Sequence, residues 1–342
     1  MINTSIDKEF TQCFEKLYDD TIDKNSIKYF CPLINSNEFE YEYMIKKLLQ
    51  YAPSYCLSRS TLEENSNNPL LLSQLTREKF RELDKNEGEL AELMGYSFLE
   101  SDLGAPKIIS KMELKTDNNM YFNGADGVHY LKTTDGYQLI FVEAKTYDDL
   151  YDAIWNSISS VDKFKNNSIK DEKDGKLKGI KFEKTLISAN IMKEVFSEED
   201  KQFIKDILYP RRDGIGPVDT SFSIIILYEP KLDKNLKSLP NHEYREKVHE
   251  VLKSQIINQA KNVKSLIEKH KLHGHNFYFY IVPLDDLYNT RHSVLQEVLR
   301  WAITLLKKWQ KMLLKTSILL NFLPNWKTIF SIKLFTKTMS VS

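Results

Sequence analysis

The stretch that most narrows what this chain can fold into is Leu139-Ile140-Phe141-Val142-Glu143-Ala144-Lys145, an apolar run ending in two opposite charges. On a strand, side chains alternate between faces. Leu139, Phe141, Glu143 and Lys145 therefore share one face, and Ile140, Val142 and Ala144 share the other. Charges on so apolar a strand need a reason, because burying them unpaired is expensive. The flanks strengthen the reading. Thr134-Asp135-Gly136 precedes the strand, and Asp-Gly supplies the positive φ that a tight hairpin demands. After it, Leu150, Ala153, Ile154, Ser157, Ile158, Val161 and Phe164 fall at helical spacing as one buried stripe.

Around this centre the pattern predicts a strand over 107–115, a second over 120–131 and a third over 137–145. Further strands are expected over 221–228, with its run Ile224-Ile225-Ile226-Leu227, and over 276–283. Helices are expected over 43–51, ending before Pro53, over 75–83, from Glu89 to Met94, over 197–208 and over 242–270. Residues 63–69 and 166–179 read as loops. This order argues an α/β fold, a mixed sheet flanked by helices. Three divisions follow: a mainly helical N-terminal extension over 1–75, a catalytic-type domain over 76–300, and a basic tail over 301–342.

Charge sets that tail apart. The 342 residues carry 48 basic and 48 acidic side chains, but the tail holds seven lysines and no acid. Residues 1–300 keep 41 basic against 48 acidic groups, a net of −7. The tail has three readings: a basic amphipathic helix for nucleic acid or a membrane surface, a partner-docking segment, or a reading-frame accident. Overall neutrality excludes a histone-like, globally cationic binder. Three scattered cysteines, Cys13, Cys31 and Cys56, form no C-x-x-C pair, so an intracellular, cytoplasmic location is expected. The first residues show no secretory signal, and no apolar run is long enough to span a membrane.

The hairpin brings a further group to Glu143 and Lys145. With Asp135-Gly136 as a two-residue loop, paired numbers sum to 271. Asp126 then lies opposite Lys145, with Glu143 as its diagonal neighbour on the same face. A bulge at Gly124 or Gly127 would shift this register. Two carboxylates side by side are hard oxygen ligands that suit Mg²⁺ or Mn²⁺, with water and phosphate completing the shell. A lysine beside them can orient or deprotonate an attacking water, or neutralise developing negative charge. Together they outline a phosphodiester hydrolase site.

Gly124-Ala125-Asp126-Gly127 followed by Val142-Glu143-Ala144-Lys145 resembles the D…ExK signature of PD-(D/E)XK nucleases, with Ala125 where the familiar proline stands. The resemblance implies a restriction-endonuclease-like core. It implies that Asp126 and Glu143 hold the metal, that the carbonyl of Ala144 adds a ligand and that Lys145 serves the water. It also implies a further acid from the helix Gly88-Glu89-Leu90-Ala91-Glu92, with Glu89 the first choice and Glu92 the alternative. More closely, the chain resembles the HamA family, nuclease subunits of the bacterial Hachiman anti-phage system, over roughly 30–300. The features are that helix, Leu103-Gly104-Ala105-Pro106-Lys107, Gly124-Ala125-Asp126-Gly127-Val128-His129, Glu143-Ala144-Lys145 and the strand ending Leu227-Tyr228-Glu229. This resemblance implies Mg²⁺-dependent DNA cleavage held in check by a partner helicase, HamB.

Other candidates are weaker. Lys107 and Lys111 could touch phosphate. His129 projects away from Asp126 in a regular strand and reads as structural. The remaining histidines show no zinc-site spacing, and no P-loop or G-x-G-x-x-G is present, so no small-molecule cofactor is expected. Arg211-Arg212-Asp213-Gly214 reads as a turn or a phosphate-touching loop. Two rivals to the DNase share the fold: a module that binds DNA or the helicase without cutting, and an RNA-directed nuclease.

Overall fold

A computed structural model describes the chain except residues 1, 81–87, 115–123, 171–174, 176, 196 and 299–342. The 301–342 tail thus lies outside the described residues. Two long strands come first, β1 (Phe14–Ile22) and β2 (Asn25–Pro32), then the small ladder β3 (Ile34–Asn35) and β4 (Glu38–Phe39). Helices α1 (Glu42–Cys56), α2 (Arg59–Glu64), α3 (Pro69–Lys79), α4 (Glu89–Ser101) and the short α5 (Lys111–Leu114) follow. The hairpin β5 (Gly127–Lys132) and β6 (Tyr137–Tyr147) leads into α6 (Leu150–Lys165). The small ladder β7 (Ile169–Lys170) and β8 (Leu177–Lys178) precedes α7 (Ile180–Asn190) and α8 (Glu198–Leu208). Last come β9 (Val218–Tyr228), the long α9 (Asn241–Lys269) and β10 (Phe277–Pro283), with a helical stretch over 287–298.

Among the described residues the main sheet has six strands in the order β1-β2-β10-β9-β6-β5. The inner four run parallel, and β1 and β5 pair antiparallel at the edges. The α/β reading therefore holds, as a mixed sheet with helices on both faces. Helices α6 and α9 pack with Leu139, Phe141, Ile224 and Ile226 in one continuous core. Helix α4 crosses the other face, where Gly95 lies so close to Ile225 that a Cβ would meet its side chain at 2.7 Å. Ile224–Leu227 are fully buried, as expected of a central parallel strand. The stripe read for α6 is buried at all seven positions. Asp149 starts that helix by accepting from the amides of Tyr151 and Asp152.

Several expectations need correction. Residues 1–75 are not a helical extension: β2 pairs in parallel with β10 deep in the sheet, and residues 1–298 form one compact unit. The strand expected over 107–115 is a single bridge, Lys107 to His129, followed by α5. The chain leaves the ladder because polar groups elsewhere claim it. Lys107 caps the end of α1, and the Ser110 amide donates to Glu194 at 2.6 Å. Helix α1 runs through Pro53 rather than ending before it. Proline sits in the last turn, and the carbonyls that follow are taken by Lys107 and by the Ser110 hydroxyl. The strand expected over 120–131 begins only at Gly127, and its first residues lie outside the described ones. The 166–179 loop contains the β7–β8 ladder.

Candidate active site

The hairpin register differs from the expected one by two residues. Gly127 pairs with Val142 and Lys132 with Tyr137, so numbers sum to 269. The turn takes four residues, closed by the Thr133 amide donating to the Gly136 carbonyl at 2.9 Å. Gly136 has φ +151° and lies hard against the Pro217 carbonyl, so no larger residue fits there. A shift of two residues preserves the face, whereas a shift of one would invert it. Asp126 consequently continues the ladder opposite Glu143 rather than Lys145. Its amide donates to the Val142 carbonyl at 2.8 Å, and its Oδ2 accepts from the Ala144 amide at 2.7 Å.

Asp126, Glu143 and Lys145 come together as expected. Lys145 Nζ lies 2.7 Å from Glu143 Oε1, with the carboxylate nearly enclosed and the ammonium one-third exposed. Burial, then repulsion from Glu92 and Glu143, pushes the Asp126 carboxyl up to about 8, against the pull of Lys145 and the Ala144 amide. Burial works against the Lys145 ammonium, but Glu143 and Asp126 outweigh it and hold its pKa above the usual lysine value.

Of the two acids on the helix, Glu92 is the one beside Asp126. Glu92 lines the same recess as Asp126, Tyr96 and His129, and Tyr55 donates to its Oε2 at 2.7 Å. Glu89 is buried, at 2% exposure, one turn earlier on α4. It does not line that recess. Both acids stand in the first turn of α4, so their spacing alone does not choose between them; the roll of α4 against the sheet does.

The lysines in the recess are structural. Lys107 is buried against the carbonyls of Ser54, Tyr55 and Leu57, and burial lowers its pKa. Lys111 Nζ donates to the carbonyl of Ala125 and to Glu183 Oε1 at 2.9 Å. Glu183, fully buried on α7, occupies the space where a Cβ on Gly124 would stand. Lys111 and Glu183 thus clamp the approach to Asp126, and the sequence reading missed the helix that supplies the acid. Ile180, Glu183 and Ile187 are spaced i, i+3, i+7, the signal that was available there.

His129 reaches the recess yet reads as structural, as expected. Its Nδ1 donates to the Ala105 carbonyl at 2.8 Å, which leaves Nε2 unprotonated. Burial drops its pKa to about 3. Arg211 pairs with Asp206 at 2.9 Å and its carbonyl closes a turn with the Gly214 amide, so the segment is a turn.

The donor set suits a divalent cation. Asp126 and Glu143 offer hard carboxylate oxygens, Ala144 follows Glu143 on β6, and Glu92 adds a third carboxylate beside Asp126. Burial first, and then the neighbouring carboxylates of Glu92 and Glu143, raise the Asp126 pKa. Among the described residues no three His, Cys, Asp or Glu side chains close around one point. A cation held by the two carboxylates and one carbonyl would have the sparse protein shell that Mg²⁺ completes with water and phosphate.

Comparison with known proteins gives one family: the profile described as HamA matches residues 7–298. No curated protein matches the chain.

Proposed function

Because the chain belongs to the HamA family, we propose that it is a metal-dependent DNA nuclease of an anti-phage defence system, controlled by a partner helicase of the HamB kind. The observation that carries the reading is Asp126, just before β5, beside Glu143 on β6, with Lys145 paired to Glu143 at 2.7 Å. This grouping resembles a PD-(D/E)XK site. Asp126, Glu143 and the carbonyl of Ala144 would hold Mg²⁺ or Mn²⁺, with Glu92 behind Asp126. A bound ion there lowers the pKa of a water and stabilises charge on a phosphodiester.

The chain's own residues supply the rest. The Ala144 amide fixes the Asp126 carboxylate by donating to Oδ2, so one oxygen is oriented before any ligand arrives. In the metal-free protein Glu143 and Asp126 favour the ammonium form of Lys145, and that ammonium can stabilise negative charge that develops on the phosphate or orient the attacking water. Tyr55 and α4 exclude water from the side of Glu92.

The test is cleavage of DNA and RNA substrates in Mg²⁺ or Mn²⁺, with and without the helicase. Wild type is expected to cut DNA, and Lys145→Ala and Glu143→Ala to lose at least about a hundredfold in rate while keeping their fold. Preferential RNA cleavage would redirect the reading to an RNA nuclease. Nucleic-acid binding with no cleavage under any of these conditions would leave a binding module.

A further inference from the structure

The segment 163–184 is basic in a body that is not. It holds eight lysines against Asp171, Glu172, Asp174 and Glu183, and Glu183 is buried and paired with Lys111. Residues 1–300 as a whole carry seven more acids than bases. Among the described residues, no carboxylate pairs with Lys163, Lys165, Lys170, Lys181 or Lys184. Asp162, the acid at this end of α6, is turned away to His270, with Nδ1 at 3.1 Å from its Oδ2. Lys163, Lys170 and Lys181 are exposed. Leu177 stands 65% exposed among them, and Lys178 lies 4.7 Å from the centre of the Phe182 ring.

The end of α6 and the start of α7 are joined. The Lys181 amide donates to Asn167 Oδ1 at 2.9 Å, which folds the start of α7 onto the end of α6. Gly179 approaches the Phe164 carbonyl too closely for any side chain. Two contacts then tie this surface to the site. Phe164 packs edge-on against Phe141 at 5.1 Å, two residues before Glu143. Glu183, between Lys181 and Lys184, reaches Lys111 and the space beside Gly124, two residues before Asp126.

We propose that the end of α6, the β7–β8 ladder and the start of α7 form a phosphate-binding face that holds the backbone of nucleic acid across the Asp126–Glu143–Lys145 site. It rests on the nuclease reading of that site. Exposed ammonium groups without carboxylate partners suit a polyanion, because each phosphate contact releases condensed counterions. They read no base edges, so the face binds without sequence preference. The exposed Leu177 and the Phe182 ring offer apolar surface to sugars and bases. Helix α7 would then join substrate binding to the loop that carries Asp126.

The experiment measures binding of a fluorescent DNA duplex to the full chain carrying Glu143→Gln, across a range of salt concentrations. One variant adds Lys163→Gln, Lys165→Gln, Lys170→Gln and Lys181→Gln. A control instead adds Lys247→Gln, Lys261→Gln and Lys264→Gln on α9. The fourfold variant is expected to bind at least about tenfold more weakly, and its slope of log affinity against log salt should be shallower by about 3 to 4. The control should match the parent. Unchanged affinity and slope in the fourfold variant would overturn the proposal, as would an equal loss in the control. So would loss of binding to phosphatidylserine vesicles with DNA binding intact. Because binding is read without cleavage, the expected result beside an inactive wild-type enzyme would count against the nuclease reading alone.

Discussion

Asp126 and His129 stand three residues apart and answer pH in opposite senses. Asp126 has its carboxyl raised from 3.8 to about 8, so between those values the metal-free folded protein keeps a proton that the unfolded chain has released. Its contribution to stability falls as pH rises through that window. His129 is lowered from 6.5 to about 3, so the unfolded chain takes up a proton first as pH falls, and stability drops below 6.5. Above 6.5 only the Asp126 effect remains of the two. Denaturation in EDTA between pH 6.5 and 8.5 should show wild type losing on the order of 1–3 kcal/mol. Asp126→Asn should flatten that loss, and an unchanged slope in the variant would assign it to another group. At this scale the sequence made the three site residues legible, since D…ExK needs only strand alternation. Which of Glu89 and Glu92 lies nearer Asp126 was not legible, because it depends on how α4 sits on the sheet.

Elements were legible where one face is apolar throughout. The α6 stripe and the Ile224–Leu227 strand belong to that kind. Strand β1 does not: its register shifts between Lys16 and Tyr18, which breaks the alternation that would have announced it. Helix α7 escaped notice because its buried face includes a carboxylate. That carboxylate makes a prediction. Removing one member of the Lys111–Glu183 pair leaves a buried charge and should cost about 3–5 kcal/mol in chemical denaturation. Lys111→Met with Glu183→Leu should recover most of the loss. Lys111 also donates to the Ala125 carbonyl, so the recovered double variant should still cleave more slowly than wild type. Full cleavage by the double variant would show that the clamp does not position Asp126.

On the scale of the molecule, the mixed α/β sheet was readable from the order of elements, but its extent was not. Strand β2 lies between β1 and β10, far in sequence from the strand it extends. No local pattern reports a parallel pairing across some 250 residues of chain. A chain starting at residue 76 would leave the β10 edge unpaired and lose Ile27 and Tyr29 from the core. It should therefore lack a cooperative thermal transition, whereas full-length protein unfolds sharply. A cooperative transition in that truncation would restore the independent domain expected over 76–300. No helix among the described residues is long and apolar enough to cross a membrane.

The claim on which the functional account turns is that Asp126 and Glu143 share one divalent cation, and Mn²⁺ binding followed by titration calorimetry on the intact chain addresses it without any substrate. The account predicts saturable binding by wild type, loss of that binding in Asp126→Asn and in Glu143→Gln, and little change in Glu89→Gln. Equal Mn²⁺ affinity in wild type and the Asp126→Asn/Glu143→Gln double variant would contradict it.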